Sequence, residues 1–324
     1  MISPKYLCFF TGKVSFPIPG DIFWPYFAAM ILLIIGLSKI VRGRRWREQG
    51  IDKAVVFGPL FLAIPMGVFG ADHFVAASSV AQLVPSWMPW HLFWTYFVGT
   101  ALIASSLGIV AARQVRWAAA LLGIMILCFV LFIQVPNVIA KPSGRIFSIL
   151  LLRDLSFSGG AFALAILQTQ ESPGVVRRWM LTVVRLLIGI PAFVFGVEQL
   201  VLPEVVPIIP LARLTPAWIP GHTSMAYLTG SILTFLGICL VFKWKERLAA
   251  AWIGIVVFAV VVLVYIPIMA ATPSDVANGL NYVVDTLAFG GSALIVSEMF
   301  AKEKSSIAQK VDEAFPEKGA FTAD

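Results

Sequence analysis

Nine apolar stretches of about twenty residues follow one another along this chain, and they constrain its fold more than any other feature. Each is long enough to cross ~30 Å of hydrocarbon as an α-helix. Only 13% of the residues are charged and 59% are hydrophobic, whereas soluble domains carry roughly a quarter charged residues. We therefore predict an all-α, polytopic membrane protein with nine transmembrane helices. The expected spans are 22–41, 54–78, 91–112, 117–136, 146–168, 177–201, 222–242, 248–268 and 277–300.

Basic residues are concentrated in alternate loops and in the C-terminal tail, which predicts the orientation of the chain. Loops rich in Lys and Arg stay in the cytoplasm, so the N-terminus is expected outside the cell membrane and the C-terminus in the cytoplasm. Because this distribution accounts for the net charge of +7, we expect no nucleic-acid binding. The basic residues on the cytoplasmic side are Arg42, Arg44, Arg45, Arg47, Lys53, Arg113, Arg116, Arg177, Arg178, Lys243, Lys245, Arg247, Lys302, Lys304, Lys310 and Lys318.

The eight spans after the first form two copies of one four-span unit. Residues 64–73 (IPMGVFGADH) recur as 190–199 (IPAFVFGVEQ), and the PSWMP loop at 85–89 recurs as PAWIP at 216–220, with an insertion in the second copy near 202–210. Each copy has an even number of spans, so we expect parallel repeats related by a pseudo-twofold axis along the membrane normal. The predicted units are an N-terminal extracytoplasmic segment with span 1 and a basic cytoplasmic loop (1–53), repeat 1 (54–170), repeat 2 (176–300) and a charged cytoplasmic tail (301–324).

Four acidic residues lie inside the predicted spans, where an ionisable group usually has a function or a dedicated partner. A helix rise of ~1.5 Å per residue places Asp154 about 12 Å below the outer surface, and the other three acids fall in the same half of the membrane. Asp72 and Asp154 belong to repeat 1, and Glu198 and Asp285 belong to repeat 2. Arg153 is the basic residue at that depth, and a valine replaces it in repeat 2.

Two interpretations of these acids remain open. In the structural interpretation, Asp72 pairs with Arg153 or His73, and Asp154 accepts hydrogen bonds from loop amides. In the functional interpretation, Glu198 and Asp285 lack an obvious cation, so they share a proton, hold water or bind a cationic or hydrogen-bonding ligand. The candidates for ligand or proton binding are Asp72, His73, Arg153, Asp154, Glu198 and Asp285, with His91, His222 and Gln199 as secondary candidates.

The outer ends of the spans carry further polar and aromatic residues. His91 and His222 occupy equivalent positions just after the tryptophan-containing loops. We expect them to form hydrogen bonds at the membrane interface, among the aromatic residues that are enriched there, rather than to hold haem or a metal. Residues 202–221 are rich in proline and are expected to form a rigid external loop or a short interfacial helix; a lid over the second bundle is an alternative.

Three motifs occur in repeat 1 and, in altered form, in repeat 2. They are Gly70, Asp72, His73 and Phe74 at the end of the first helix, Pro85, Trp87 and Pro89 in the next loop, and Arg153, Asp154, Gly159 and Gly160 in the last helix. Together they resemble the DoxX/DoxX-like family of four-helix integral membrane proteins. The resemblance covers 54–300 as a tandem duplication and implies two four-helix bundles side by side. Repeat 2 departs from the pattern at Gln199 and Val284.

The resemblance implies a role in membrane redox systems, including quinone-linked ones. We therefore expect an accessory or quinone-interacting component of a membrane redox system, with a quinone as the ligand and a redox complex as partner besides the lipid bilayer. A transporter or a small-molecule- or lipid-binding protein that uses the acids is the first alternative, and a structural or assembly factor is the second. Cys8, Cys128 and Cys239 form no C-x-x-C pair, and no nucleophile–base pair, phosphate loop or metal-ligand set is recognisable, so we assign no catalytic residue and no metal.

Overall fold

The computed structural model describes residues 20–169 and 175–314; the predictions for 1–19, 170–174 and 315–324 lie outside the described residues. Within the described part, nine helices are long and apolar enough to cross a membrane, which confirms the predicted all-α, multi-pass membrane fold. They are α1 (Gly20–Arg42), α2 (Ile51–Val75), α3 (His91–Val110), α4 (Val115–Ala140), α5 (Arg145–Leu167), α6 (Val175–Val201), α7 (His222–Val241), α8 (Glu246–Ala271) and α9 (Leu280–Ala314).

Most helices begin and end within a few residues of the predicted bounds, but α9 is longer. It continues beyond the predicted end of its span through the first part of the charged tail, to Ala314. This extension is rich in Ala, Lys, Glu and Gln, which favour helix, so the apolar stretch ends but the helix does not. Arg177 of α6 donates from Nε to Oε2 of Glu303 at 2.7 Å and holds the extension in place. We call the side on which α1 begins the outer side; the orientation across the membrane stays a prediction.

The two four-span units interlock through α5 and α9. Helices that are neighbours in sequence pack together within each unit, but α2 packs mainly against α3 and α9, and α5 packs against α6 and α9 as well as α4. The most apolar part of α9 is entirely buried, whereas only 17% of that of α1 is buried. The centre of the molecule is therefore the α5–α9 pair, and α1 lies outside it against α2. The boundaries of the sequence units remain a prediction.

Small residues allow the close approach of the central helices. A Cβ atom added at Gly160 of α5 would lie 2.7 Å from Cα of Ser292 on α9. One added at Gly291 of α9 would lie 2.7 Å from the backbone carbonyl carbon of Phe61 on α2. Both distances are shorter than a non-bonded carbon contact, so a larger residue would push the helices apart. Such contacts are typical of helix packing in bilayers, where small residues let backbones approach.

The backbone repeats its irregular features in the two units. A π-helical turn at Val130–Gln134 in α4 has its counterpart at Val261–Tyr265 in α8, at the spacing that also relates His91 to His222. A proline, Pro136 or Pro267, follows each turn, and proline cannot donate the hydrogen bond that a regular α-helix needs there. Residues with positive φ also recur in pairs: Trp90 and Gly221, Ala112 and Lys243, and Gln114 and Lys245.

Candidate functional site

A buried cluster of charged residues joins α5 to α9 in the outer half of the molecule. Arg153 of α5 donates from Nε to Oδ1 of Asp154 at 2.9 Å, and from Nη1 to both carboxylate oxygens of Asp285 on α9 at 3.1 Å. The side chains of Asp154 and Asp285 are 8% and 7% accessible, and that of Arg153 is 20% accessible. Because little solvent screens these charges, their attraction is stronger than at an exposed surface. The cluster thus ties the two units together.

Gln134 completes this cluster, and the sequence analysis did not identify it. Its Nε2 donates to Oδ2 of Asp154 at 2.8 Å, and the residue is buried. Gln134 ends the π-helical turn of α4, and such a turn inserts an extra residue that redirects the side chains beside it. The expectation that loop amides bind Asp154 is therefore wrong. The sequence does contain a signal for this residue, because Gln134 is a polar residue within an apolar span, shortly before Pro136.

The prediction that Glu198 and Asp285 lack a cation is also wrong. Asp285 is paired with Arg153 from the other unit. Glu198 lies 3.3 Å from Nη1 of Arg145, at the start of α5. For each acid, cations were considered only within its own unit. In the structure, α5 of the first unit packs directly against α6 and α9 of the second. The interlocking of the units therefore supplies both cations.

Asp72 lies near this cluster but outside its hydrogen bonds. It occupies the outer end of α2, and the side-chain amide of Asn281 on α9 lies beside it. The structural interpretation expected Asp72 to pair with Arg153 or His73. Among the contacts of the described residues, no ion pair joins Asp72 to either of them. The Oδ1 atom of Asn281 is buried and accepts no hydrogen bond.

His73 follows Asp72 on α2 and is half-buried. Its Nδ1 lies 2.7 Å from the carbonyl oxygen of Phe69. A carbonyl oxygen only accepts, so Nδ1 carries the proton, and Nε2 of the neutral ring is an acceptor. The outer end of α2 therefore presents three acceptors: the Asp72 carboxylate, Nε2 of His73 and the neighbouring Oδ1 of Asn281.

The segment after α6 is not a helix, and part of it is not external but packs into the second unit, nearer to the lid that was the alternative expectation. Residues 202–215, which we call the inserted hairpin, turn into the second unit. The N–H of Val206 donates to the carbonyl of Arg213 at 3.0 Å, and the N–H of Thr215 donates to that of Glu204 at 2.8 Å. The residues between these pairs, 205–211, are all buried. Irregular backbone at membrane depth requires such burial within protein.

Side chains of the surrounding helices form hydrogen bonds with the backbone of this hairpin. Oε1 of Gln199 accepts from the N–H of Ile208 at 3.0 Å, and its Nε2 donates to the hydroxyl of Thr229. The hydroxyl of Tyr265 donates to the carbonyl of Pro207. Arg145 donates to the carbonyls that follow: those of Pro210 at 2.6 Å and Leu211 at 3.1 Å. Two of the second-unit candidates, Gln199 and (through Arg145) Glu198, therefore serve the hairpin.

The two equivalent histidines at the starts of α3 and α7 lie apart from the acid cluster in sequence and make local contacts. Nδ1 of His222 lies 3.2 Å from the carbonyl oxygen of Ile219, which fits an interfacial hydrogen bond. His91 is half-buried at the first residue of α3. Within the described residues, no group of three or more His, Cys, Asp or Glu side chains is arranged to hold a metal ion.

Apart from His91 and His222, the candidate residues fall into three groups. Arg153, Asp154 and Asp285 form the central cluster, Asp72 and His73 occupy the outer end of α2, and their second-unit counterparts Glu198 and Gln199 hold the inserted hairpin. Among these three groups, the second is the one in which an acceptor, Nε2 of His73, has no donor within the described residues. Compared with protein-family models, curated protein sequences and solved structures, the chain matches none of them.

Proposed function

We propose that this protein is a DoxX-like membrane protein that binds a quinol, the reduced form of a quinone, at the outer end of α2. It would do so as an accessory component of a membrane redox system. The observation that carries the proposal is the pair of acceptor atoms that have no donor among the described residues, Nε2 of His73 and Oδ1 of Asn281, beside the Asp72 carboxylate. The DoxX-like motifs support the redox context, and the acceptors support the choice of ligand.

The chemistry of the acceptors distinguishes a quinol from a quinone. A quinone has two carbonyl oxygens, which only accept hydrogen bonds, whereas both hydroxyl groups of a quinol donate. A carboxylate, an amide oxygen and an unprotonated imidazole nitrogen all need a donor. Burying an acceptor without a donor costs ~1–3 kcal/mol. A quinol removes that cost, and an oxidised quinone adds unpaired oxygens to it.

Charge also favours a donor ligand at Asp72. The guanidinium of Arg153 is shared between Asp154 and Asp285, so it does not neutralise a third carboxylate. An unpaired charge within a span costs at least ~2.5–3.5 kcal/mol on insertion scales. The Asp72 carboxylate is therefore stabilised when it accepts a hydrogen bond from a donor such as a ligand hydroxyl.

A structural role is supported for the central cluster. Arg153, Asp154, Asp285 and Gln134 satisfy one another, with both acids hydrogen-bonded to Arg153. Replacing buried groups of this kind alters stability first, because each leaves a charged partner unpaired. We therefore assign these residues to the framework of the site, and Asp72 and His73 to ligand binding.

Equilibrium binding to the purified full chain in lipid nanodiscs tests the proposal. The probe is a benzoquinol with a decyl chain, kept reduced, and the comparison is the same compound oxidised to the quinone. We expect the quinol to bind about tenfold more tightly, the equivalent of ~1.4 kcal/mol for one hydrogen bond to a charged or buried acceptor. Asp72→Asn and His73→Gln should each weaken quinol binding by about the same factor.

Glu198→Gln is the matched control, because it changes the equivalent acid of the second unit and should leave quinol binding unchanged. Equal binding of quinol and quinone, or full binding by both Asp72→Asn and His73→Gln, would refute the proposal. Tight binding of an organic cation that depends on Asp72 would favour the transporter alternative. Variants that alter only the melting temperature would favour the structural alternative.

A further inference from the structure

The two units differ in how much of their inner surface is covered. Six inward-facing positions of the second unit are buried, and their equivalents in the first unit are partly accessible. The buried residues are Phe195, Gln199, Thr229, Val264, Ile268 and Val284, with accessible fractions from 0% to 6%. Their partly accessible counterparts are Phe69, His73, Val98, Ile133, Asn137 and Arg153.

The inserted hairpin accounts for this difference. Its buried segment, 205–211, lies within the second unit and contacts Gln199 and Tyr265. The corresponding connection in the first unit consists of two short helical turns, Ala77–Val80 and Ala81–Leu83. Ala77 and Ala81 of these turns are buried, whereas Leu83 is 55% accessible. Within the described residues, the connection of the first unit therefore has no inserted segment comparable to the hairpin.

We infer that the first unit contains a ligand socket, bordered by Phe69, Val98, Ile133 and Arg153, at the place that the hairpin fills in the second unit. The inference rests on the proposed function for the identity of the occupant, which is the ring of the quinol. The second unit is then a copy of the same site that the chain's own hairpin occupies. One full chain binds one quinol.

The hairpin also shows what kind of group fits the socket. In the second unit, the apolar side chains of Val206, Ile208 and Ile209 are at most 1% accessible. A single N–H, that of Ile208, donates to Gln199, the counterpart of His73. An apolar ring with a hydroxyl group combines the same two properties. The ring takes the place of the aliphatic side chains, and the hydroxyl donates a hydrogen bond in place of the N–H. In the first unit the hydroxyl meets His73.

A matched pair of substitutions tests the socket without any ligand. Val98→Trp and Thr229→Trp place the same bulky side chain at equivalent positions of α3 and α7. In the first unit the inferred socket would accept the ring, so we expect the melting temperature of Val98→Trp to be unchanged or raised. In the second unit the hairpin already fills the space, and overpacking should lower the melting temperature by ~5 °C or more. Equal losses in the two variants would overturn the socket, whatever the ligand.

Quinol binding then tests the occupant. Val98→Trp removes none of the three acceptors, but its ring would occupy the socket, so it should weaken binding of the decyl benzoquinol at least tenfold. Phe97→Trp, at the exposed neighbouring position on α3, should bind normally. Native mass spectrometry should show one quinol per chain. Normal binding by Val98→Trp, or two quinols per chain, would overturn the inference even if Asp72→Asn still weakens binding. If the unmodified protein fails to bind quinol, the proposed function is refuted, and the melting-temperature test alone decides whether the socket exists.

Discussion

Replacing Arg153 by methionine removes the cation that links the two units. Met keeps an unbranched side chain of similar length, but it donates no hydrogen bond. The substitution leaves Asp154 with only the Gln134 amide, and it leaves Asp285 without its two contacts to the guanidinium. The matched control is Val284→Met, at the equivalent buried position of α9, which changes apolar packing but breaks no ion pair.

The structure sets the size of the expected effect. Removing one partner of a buried ion pair costs ~3–5 kcal/mol, because it leaves an uncompensated charge. Arg153 is one-fifth accessible, so water reaches part of the cluster and the lower end of that range applies. We expect Arg153→Met to lower the free energy of unfolding by ~3 kcal/mol. Combining Arg153→Met with Asp154→Asn and Asp285→Asn should restore most of the lost stability, because no unpaired charge then remains.

Reversible unfolding in mixed micelles, followed by circular dichroism, measures these changes. The combined variant identifies the cause, because a lost packing contact would not be restored by neutralising the acids. A loss of less than ~1 kcal/mol in Arg153→Met, or no recovery in the combined variant, would refute the argument that Arg153 compensates two buried carboxylates. A loss of similar size in Val284→Met would show that packing at this level, rather than charge, determines stability.

Three further predictions concern other parts of the molecule. Gln199→Ala leaves the N–H of Ile208 unpaired, so we expect a loss of ~1–3 kcal/mol and faster limited proteolysis within the inserted hairpin. Gly291→Leu forces α9 away from the backbone of α2, and it should sharply reduce the yield of folded, monodisperse protein in size-exclusion chromatography. Arg177→Ala removes the partly buried contact to Glu303, so hydrogen exchange should increase in the α9 extension, with a stability loss of ~1.5–3 kcal/mol for a hydrogen bond between charged groups.

The sequence predicted the parts of the fold that depend on local composition. An apolar run of about twenty residues is sufficient to specify a spanning helix, because lipid requires every backbone group to bond within its own segment. The nine spans follow from that rule. The depth of Asp154 and Asp285 follows from the helix rise, and both lie in the one cluster that α5 and α9 form. The orientation and the unit boundaries remain predictions.

The partners of these residues could not be predicted in the same way. Whether Arg153 meets Asp285 depends on which distant helices pack together, and hydrophobic periodicity does not encode that choice. Gln134 reaches Asp154 from a π-helical turn, which breaks the regular spacing that a sequence argument assumes. The sequence showed the insertion near 202–210, but whether it turns into the bundle depends on buried hydrogen-bond donors and acceptors from three helices. Each failure therefore involves side-chain contacts between separate elements, which the local composition of a single span does not specify.

The guanidinium at the centre also limits how the molecule can move. Many carriers expose a site alternately to each side of the bilayer by rocking one half of the structure against the other. Here such a rotation would separate Arg153 from Asp285 and slide α5 along α9, where Gly160 and Ser292 are in close contact. Conformational exchange in this protein is therefore expected within a half, at the connections on its outer rim, while the seam between the halves stays closed.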